Sequence, residues 1–204
     1  MRLYLCRHGE TEYNAIGRVQ GHSDVPLNDA GCKQVASLGR RLAELDRLDH
    51  IYASDIRRTV MSAEIIAKHT GHEITYNPLF RERDPGDLAD KTHEEAMAFF
   101  TDPDFEPPNG ESVPVFAARV RAAVDHLIDL EGSNGRHVAL VTHGMFCRAF
   151  VDLCLNLNPE EIPSWPNACL SIIDYDGNGK WDAITLADAS HTEQADPNAH
   201  ATGA

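Results

Sequence analysis

The chain of 204 residues sets 18 Lys+Arg against 32 Asp+Glu, a formal charge of -14, with 42% hydrophobic residues. That length suits one domain with a sizeable core, and so acidic a surface repels nucleic acid and anionic lipid, which excludes both as expected partners. No apolar run approaches the roughly 20 residues of a membrane span, and Arg7 interrupts the N-terminus too early for a signal peptide, so the expectation is a soluble, cytoplasmic protein.

In chain order, Leu3 to Cys6 is a short apolar run that stops on Arg7-His8-Gly9, as a strand buried on both faces stops where its polar chemistry begins. A polar, glycine-containing loop follows from Glu12 to Leu27. Asn28 offers an N-cap to a helix from Asp29 to Leu45, in which Val35, Leu38, Leu42 and Leu45 recur at helical spacing. A second strand, Ile51 to Ala53, ends at Ser54-Asp55. The helix after it carries Arg58 in its first turn and stops at Gly71, before a third strand, Glu73 to Tyr76. Asn77 to Gly110 is rich in proline and irregular, with at most one short helix expected, near His93 to Phe100.

Glu111 to Leu130 has the clearest helical periodicity. His137 to Thr142 is a second β-rich run, and it stops on His143-Gly144 as the first stops on His8-Gly9. A helix over Met145 to Leu155 precedes a hairpin, Ser171 to Tyr175 and Trp181 to Leu186, turning through Asp176-Gly177-Asn178-Gly179. Asp174-x-Asp176-x-Asn178-Gly179 also matches the start of a calcium loop, but Thr185 stands where that loop needs a carboxylate, so a hairpin turn is the better reading. The alternation predicts an α/β fold: a three-layer α/β/α sandwich around a mainly parallel sheet, with an antiparallel C-terminal hairpin. One catalytic domain is expected over 1–187, with a lid around 83–110 and a tail over 188–204. The exposed hairpin edge is where two copies could pair as a homodimer. The five cysteines are scattered without a C-x-x-C pair, as reduced core thiols are, and no metal site is expected.

Ligands of such sheets bind beyond the carboxyl ends of the strands, where His8 and His143 both fall. With Arg7 and Arg58 they would make a cationic crevice in an acidic protein, which suits a phosphoryl group. A neutral imidazole can attack phosphorus in line, and neighbouring cations keep it unprotonated.

The motifs that bear this out are R-H-G-E-T-E-Y-N from Arg7, G-R-V-Q-G-H-S-D-V-P-L from Gly17, S-D-I-R-R-T from Ser54, L-F-R-E from Leu79, G-E-S from Gly110, V-T-H-G from Val141 and N-A-C-L-S-I-I-D-Y-D from Asn167. In this order and over nearly the whole chain they resemble the histidine phosphatase superfamily, in its phosphoglycerate-mutase-like branch of broad-specificity phosphatase type. The resemblance implies that His8 is the phosphorylated nucleophile, with Arg7 and Arg58 clamping phosphate and His143 stabilising the transition state. It makes Glu82 the general acid and later the base, ahead of Glu10 and Asp84, and implies further substrate contacts from Asn14, Gln20, Gly21 and the Gly144 amide. Arg57 is read as a surface residue. No cofactor is implied. Two departures fall on the substrate wall: Pro85 replaces a common aromatic, and Asp90 stands where the family has Gly.

The implied function is a metal-independent phosphomonoesterase acting on a small phosphorylated metabolite. A phosphoglycerate mutase is the alternative, and an inactive phospho-ligand binding module a remote one. Between Asp84 and Glu111, Asp87, Asp90, Glu94, Glu95, Asp102, Asp104 and Glu106 face Lys91 alone. This acidity disfavours a doubly anionic sugar acid and favours water as acceptor.

Overall fold

The computed structural model describes residues 1–155, 157, 161 and 163–193. Six strands form one sheet, β1 (Arg2–Arg7), β2 (His50–Ala53), β3 (Ile74–Tyr76), β4 (His137–Thr142), β5 (Leu170–Tyr175) and β6 (Trp181–Asp188). Their spatial order is β3-β2-β4-β1-β5-β6. The first four run parallel, and β5 and β6 are antiparallel to their neighbours. This is the expected α/β sandwich.

β1 and β4 lie at the centre, covered on both faces, which is why they read as unbroken apolar runs instead of alternating ones. One face packs Leu3, Leu5 and Leu140 against α5 (Val113–Glu131) and α6 (Gly144–Leu155) through Val120, Leu127, Phe146 and Phe150. The other packs Cys6, Ala139 and Val141 against α2 (Asp29–Ala43) and α3 (Arg57–Thr70) through Val35, Leu38 and Ile66. Each fully buried side chain of this size contributes about 1.5–3 kcal/mol, so the two faces are the main source of stability. The helix signals work as read. Asn28 Oδ1 accepts from the Gly31 amide at 2.7 Å, and Gly71 stops α3 in the left-handed region at φ 75.

Four places differ from the sequence expectation. A single helical turn, α1 (Glu12–Ala15), interrupts the first loop, because Thr11 and Asn14 form a capping box around it. The lid helix, α4, covers Met97–Thr101 instead of His93–Phe100, because Thr92 and Glu95 bond each other in a turn just before it. Arg7 lies within β1, paired opposite Thr142.

The fourth difference is at the C-terminus. The segment expected as a tail from 188 starts as the end of β6 and continues into α7 (Ser190–Glu193). Polar contacts with no sequence period hold it there: Arg41 donates to Asp188 at 2.7 Å and to His191 Nδ1 at 2.9 Å, and His191 Nε2 donates to the Ala168 carbonyl at 2.8 Å. The rest of that segment, 194–204, lies outside the described residues. In the hairpin turn the Asp176 carboxylate accepts the amides of Asn178 and Lys180, so it serves the turn itself. Among the described residues no helix is long and apolar enough to cross a membrane.

Candidate active site

Because β1 and β4 are parallel neighbours in matched register, the chain leaving each one delivers an imidazole to the same end of the sheet. The His8 amide donates to the Thr142 carbonyl at 2.9 Å, and the rings of His8 and His143 stand edge to face, 5.3 Å apart. Both are buried, 2% and 0% exposed.

His8 Nδ1 lies 2.7 Å from the Gly9 carbonyl oxygen. A carbonyl can only accept, so Nδ1 carries the proton and Nε2 presents a lone pair. Arg58 Nε donates toward that Nε2 at 3.2 Å. Gly9 is required for the turn: a Cβ there would come within 2.5 Å of the Gly31 carbonyl oxygen. Burial first, then Arg58, then Arg7, hold His8 well below the ordinary imidazole value of 6.5. His143 is lowered in the same way, by burial and then by Arg58. The sequence points to the cations as the cause, whereas burial is the larger one.

Arg58 projects from the first turn of α3, 1% exposed, and donates to the Gly21 carbonyl at 2.7 Å and the Ser23 carbonyl at 3.3 Å. Burial pushes its guanidinium down to about 10. Arg7 donates to the Trp165 carbonyl, while its buried Nε has no partner. Gly144 fits against this guanidinium, its Cβ position 3.4 Å from Arg7 Nε. His143 Nε2 lies 3.0 Å from Ser54 Oγ, and its Nδ1 is buried without a partner. The open Arg7 Nε, a buried donor on a guanidinium near Arg58, suits an anion.

Glu82 reaches the N-terminus of α6. Its Oε2 accepts the Met145 amide at 3.2 Å, and its Oε1 accepts the amides of Phe146 at 3.2 Å and Arg83 at 2.9 Å. The two competing acids are engaged elsewhere, Glu10 with the Asn28 side chain and Asp84 with the Gly86 amide and His22. Arg57 pairs with exposed Asp24.

The remaining residues form the rim. Asn14 Oδ1 accepts from Thr11 and from Asn167 Nδ2, and that Nδ2 also lies 3.3 Å from the His8 carbonyl oxygen. Gln20 Oε1 accepts from Thr11 Oγ1 at 2.9 Å. Gly21, at φ 47, meets the wall directly, since a Cβ there would overlap Pro85. Asp90 adopts φ 68, the left-handed conformation that a glycine takes freely. Phe99 and Phe105 pack with Val19 and Met145, whereas Phe100 is exposed.

Several contributors escape sequence reasoning. Trp165 and Asn167 act through a carbonyl and an amide group, His22 donates to the Glu82 carbonyl at 2.8 Å, and Arg83 is buried with its guanidinium on three carbonyl oxygens and over the Phe99 ring. Of these, His22 lies in the motif from Gly17 to Leu27 and Asn167 opens the last motif, whereas Trp165 and Arg83 lie in none.

A sheet of this order, with two strand-end imidazoles and two arginines at one end, defines the phosphoglycerate-mutase-like class of α/β sandwiches. Residues 3–189 match the histidine phosphatase superfamily (branch 1), and the chain belongs to that family. It is 34% identical to a probable phosphoglycerate mutase GpmB of Salmonella arizonae, over 95% of each chain. Among solved structures it is similar to Bacillus stearothermophilus YhfR, with TM-score 0.84, 30% identity and coverage of 94% of this chain and 99% of that one. A mycobacterial glucosyl-3-phosphoglycerate phosphatase is similar at TM-score 0.77 and 28% identity, over 90% and 97% of the two chains.

Proposed function

We propose that the protein is a phosphomonoesterase that hydrolyses a small phosphorylated metabolite through a phosphohistidine on His8. The observation that carries this reading is the fixed tautomer of His8: Nδ1 is held by the Gly9 carbonyl, so Nε2 presents its lone pair among cationic donors.

In the first step Nε2 attacks phosphorus in line. The N–P bond forms as the ester P–O bond breaks, and the departing oxygen takes a proton from the Glu82 carboxyl group. Arg7 and Arg58 neutralise the equatorial oxygens and the neutral His143 hydrogen-bonds to them, so the charge work falls to the two guanidiniums. In the second step water attacks the phosphohistidine, Glu82 accepts its proton, and phosphate leaves with His8 restored.

A second reading, phosphoglycerate mutase, is favoured by the name of the 34%-identical relatives. Against it, the arginines flanking the site are already engaged, Arg81 by Asp55 through two 2.6 Å contacts, Arg83 by carbonyl oxygens and Arg57 by Asp24. A second anionic group on the substrate would therefore compete for cations that already have partners.

The test is to quench turnover in alkali and map a phosphoryl adduct that survives base and is lost in acid. It should sit on His8 and vanish, with turnover, in His8→Ala. An adduct elsewhere, or an active His8→Ala protein, sinks the mechanism. Mutase turnover primed with bisphosphoglycerate, together with negligible hydrolysis of monoesters, selects the second reading.

A further inference from the structure

Glu82 lies on a stretch, 81–85, that belongs to no helix or strand. Its backbone therefore lacks the strand-end bonds that hold His8, whose amide donates to the Thr142 carbonyl and whose carbonyl accepts the Ala168 amide. A single guanidinium substitutes for them. Arg119, on α5, donates from Nη1 to the carbonyl oxygens of Leu79 (3.1 Å) and Arg81 (2.7 Å) and from Nη2 to that of Glu82 (2.8 Å). Its Nε and Nη2 also donate to the two carboxylate oxygens of Glu111, at 2.7 and 2.6 Å. A guanidinium has five N–H donors, and these contacts use them all.

Glu111 closes the arrangement from the other side. Its Oε2 accepts the Asp84 amide at 3.0 Å, its own amide donates to the Asp84 carbonyl at 2.9 Å, and its carbonyl accepts from Arg83 Nε at 2.9 Å. Both partners of the pair are largely covered, at 17% side-chain exposure each. The main chain on each side of Glu82 is thus fixed to the start of α5, and the Glu82 carboxylate is fixed to the start of α6. A lysine could not replace Arg119, having three donors and no planar fork.

We infer that Glu111 and Arg119 are positioning residues that aim the Glu82 carboxyl group at the leaving oxygen, a role that rests on the acid–base reading of Glu82 above. General-acid help matters in proportion to the basicity of the leaving group. An alkoxide cannot leave without the proton, whereas dinitrophenolate leaves unaided. A pair that only stabilised the fold would affect both alike.

The experiment measures the phosphoryl-transfer step itself, as the pre-steady-state burst with 2,4-dinitrophenyl phosphate and as single turnover with glycerol 2-phosphate. Wild type, Glu82→Gln, Arg119→Lys and Glu111→Gln are compared, with thermal midpoints recorded for each. The expected result for Arg119→Lys is a loss on the order of tens- to a hundred-fold with the alkyl ester and less than about three-fold with the aryl ester. Glu111→Gln, which keeps the shape and one acceptor oxygen, should show the same pattern more weakly, and it carries the test if Arg119→Lys does not fold. Equal losses on both esters in Glu82→Gln overturn the reading of Glu82 and the positioning role with it. A selective loss in Glu82→Gln, with either no loss or equal losses in the two pair variants, overturns the positioning role alone.

Discussion

The strand-end crevice and the wall that faces it are built by different means. The crevice stands on two central parallel strands whose register places His8 beside His143, and its rigidity comes from ladder hydrogen bonds and a core packed on both faces. The wall, from Pro78 to Ser112, has short 3-10 turns and the five-residue α4, and arginine side chains hold it by bonding its carbonyl oxygens. On the proposed mechanism the sheet end supplies the nucleophile and the phosphate contacts, and the wall supplies the acid–base group Glu82. What differs between esters is met by a surface whose shape depends on a few replaceable contacts.

That contrast is sharpened most by His143→Ala. Losing a ring from the crevice should cut turnover on the order of a hundred- to a thousand-fold for every ester tested, with little change in their ranking. A loss confined to one ester in a steady-state substrate series would break the division. Arg83→Met works on the wall. Three carbonyl oxygens lose their donor, so the thermal midpoint should drop with a cost on the order of 1–3 kcal/mol. The KM values of bulky esters should change more than those of small ones, and a uniform fall in kcat would contradict the assignment.

Acidity should weaken the crevice next. His8 and His143 are held neutral in the folded protein, well below 6.5, and regain the ordinary value on unfolding. Below about pH 6.5 the unfolded chain therefore binds more protons, and stability falls as pH falls, by up to about 1.4 kcal/mol per pH unit for each group. Urea unfolding at about pH 7.5 and about pH 5.5 reads this, and His143→Asn should flatten the slope. The smallest effect belongs to His191→Ala, which removes the donor to the Ala168 carbonyl, while the Ala168 amide donates to the His8 carbonyl. A stability loss of about 1 kcal/mol is expected. A larger loss would mean that the C-terminal turn belongs to the crevice's own frame.

The same division explains what the amino-acid sequence discloses. β1, β4 and the helices announce themselves because burial imposes periods and runs on consecutive residues, and His8 and His143 stand at the ends of those runs. Arg119, Arg83 and His22 escape because a long side chain that reaches a distant carbonyl leaves no pattern around itself. Glu82 was legible only through its motif. Its contact with the amides of Met145 and Phe146 joins segments more than sixty residues apart, with separations of 63 and 64. The C-terminal turn hides for a similar reason: Asp188 and His191 look like solvated residues until Arg41 of α2 is seen between them.

The central place of β1 also bears on how the protein comes into being. β1 needs β4 and β5, both made after it, on its two sides, and the Met1 amino group bonds the Tyr175 carbonyl across 174 residues. Such distant pairings are slow to form, because the intervening chain must be ordered before they are rewarded. During synthesis β1 must therefore wait, apolar and unpaired, until β4 and β5 have emerged. Its apolar run is then exposed to aggregation, and the crevice appears only at the last stage of folding. Recovery of turnover after dilution from denaturant would consequently report on completion of the whole sheet, lagging any signal from the helices.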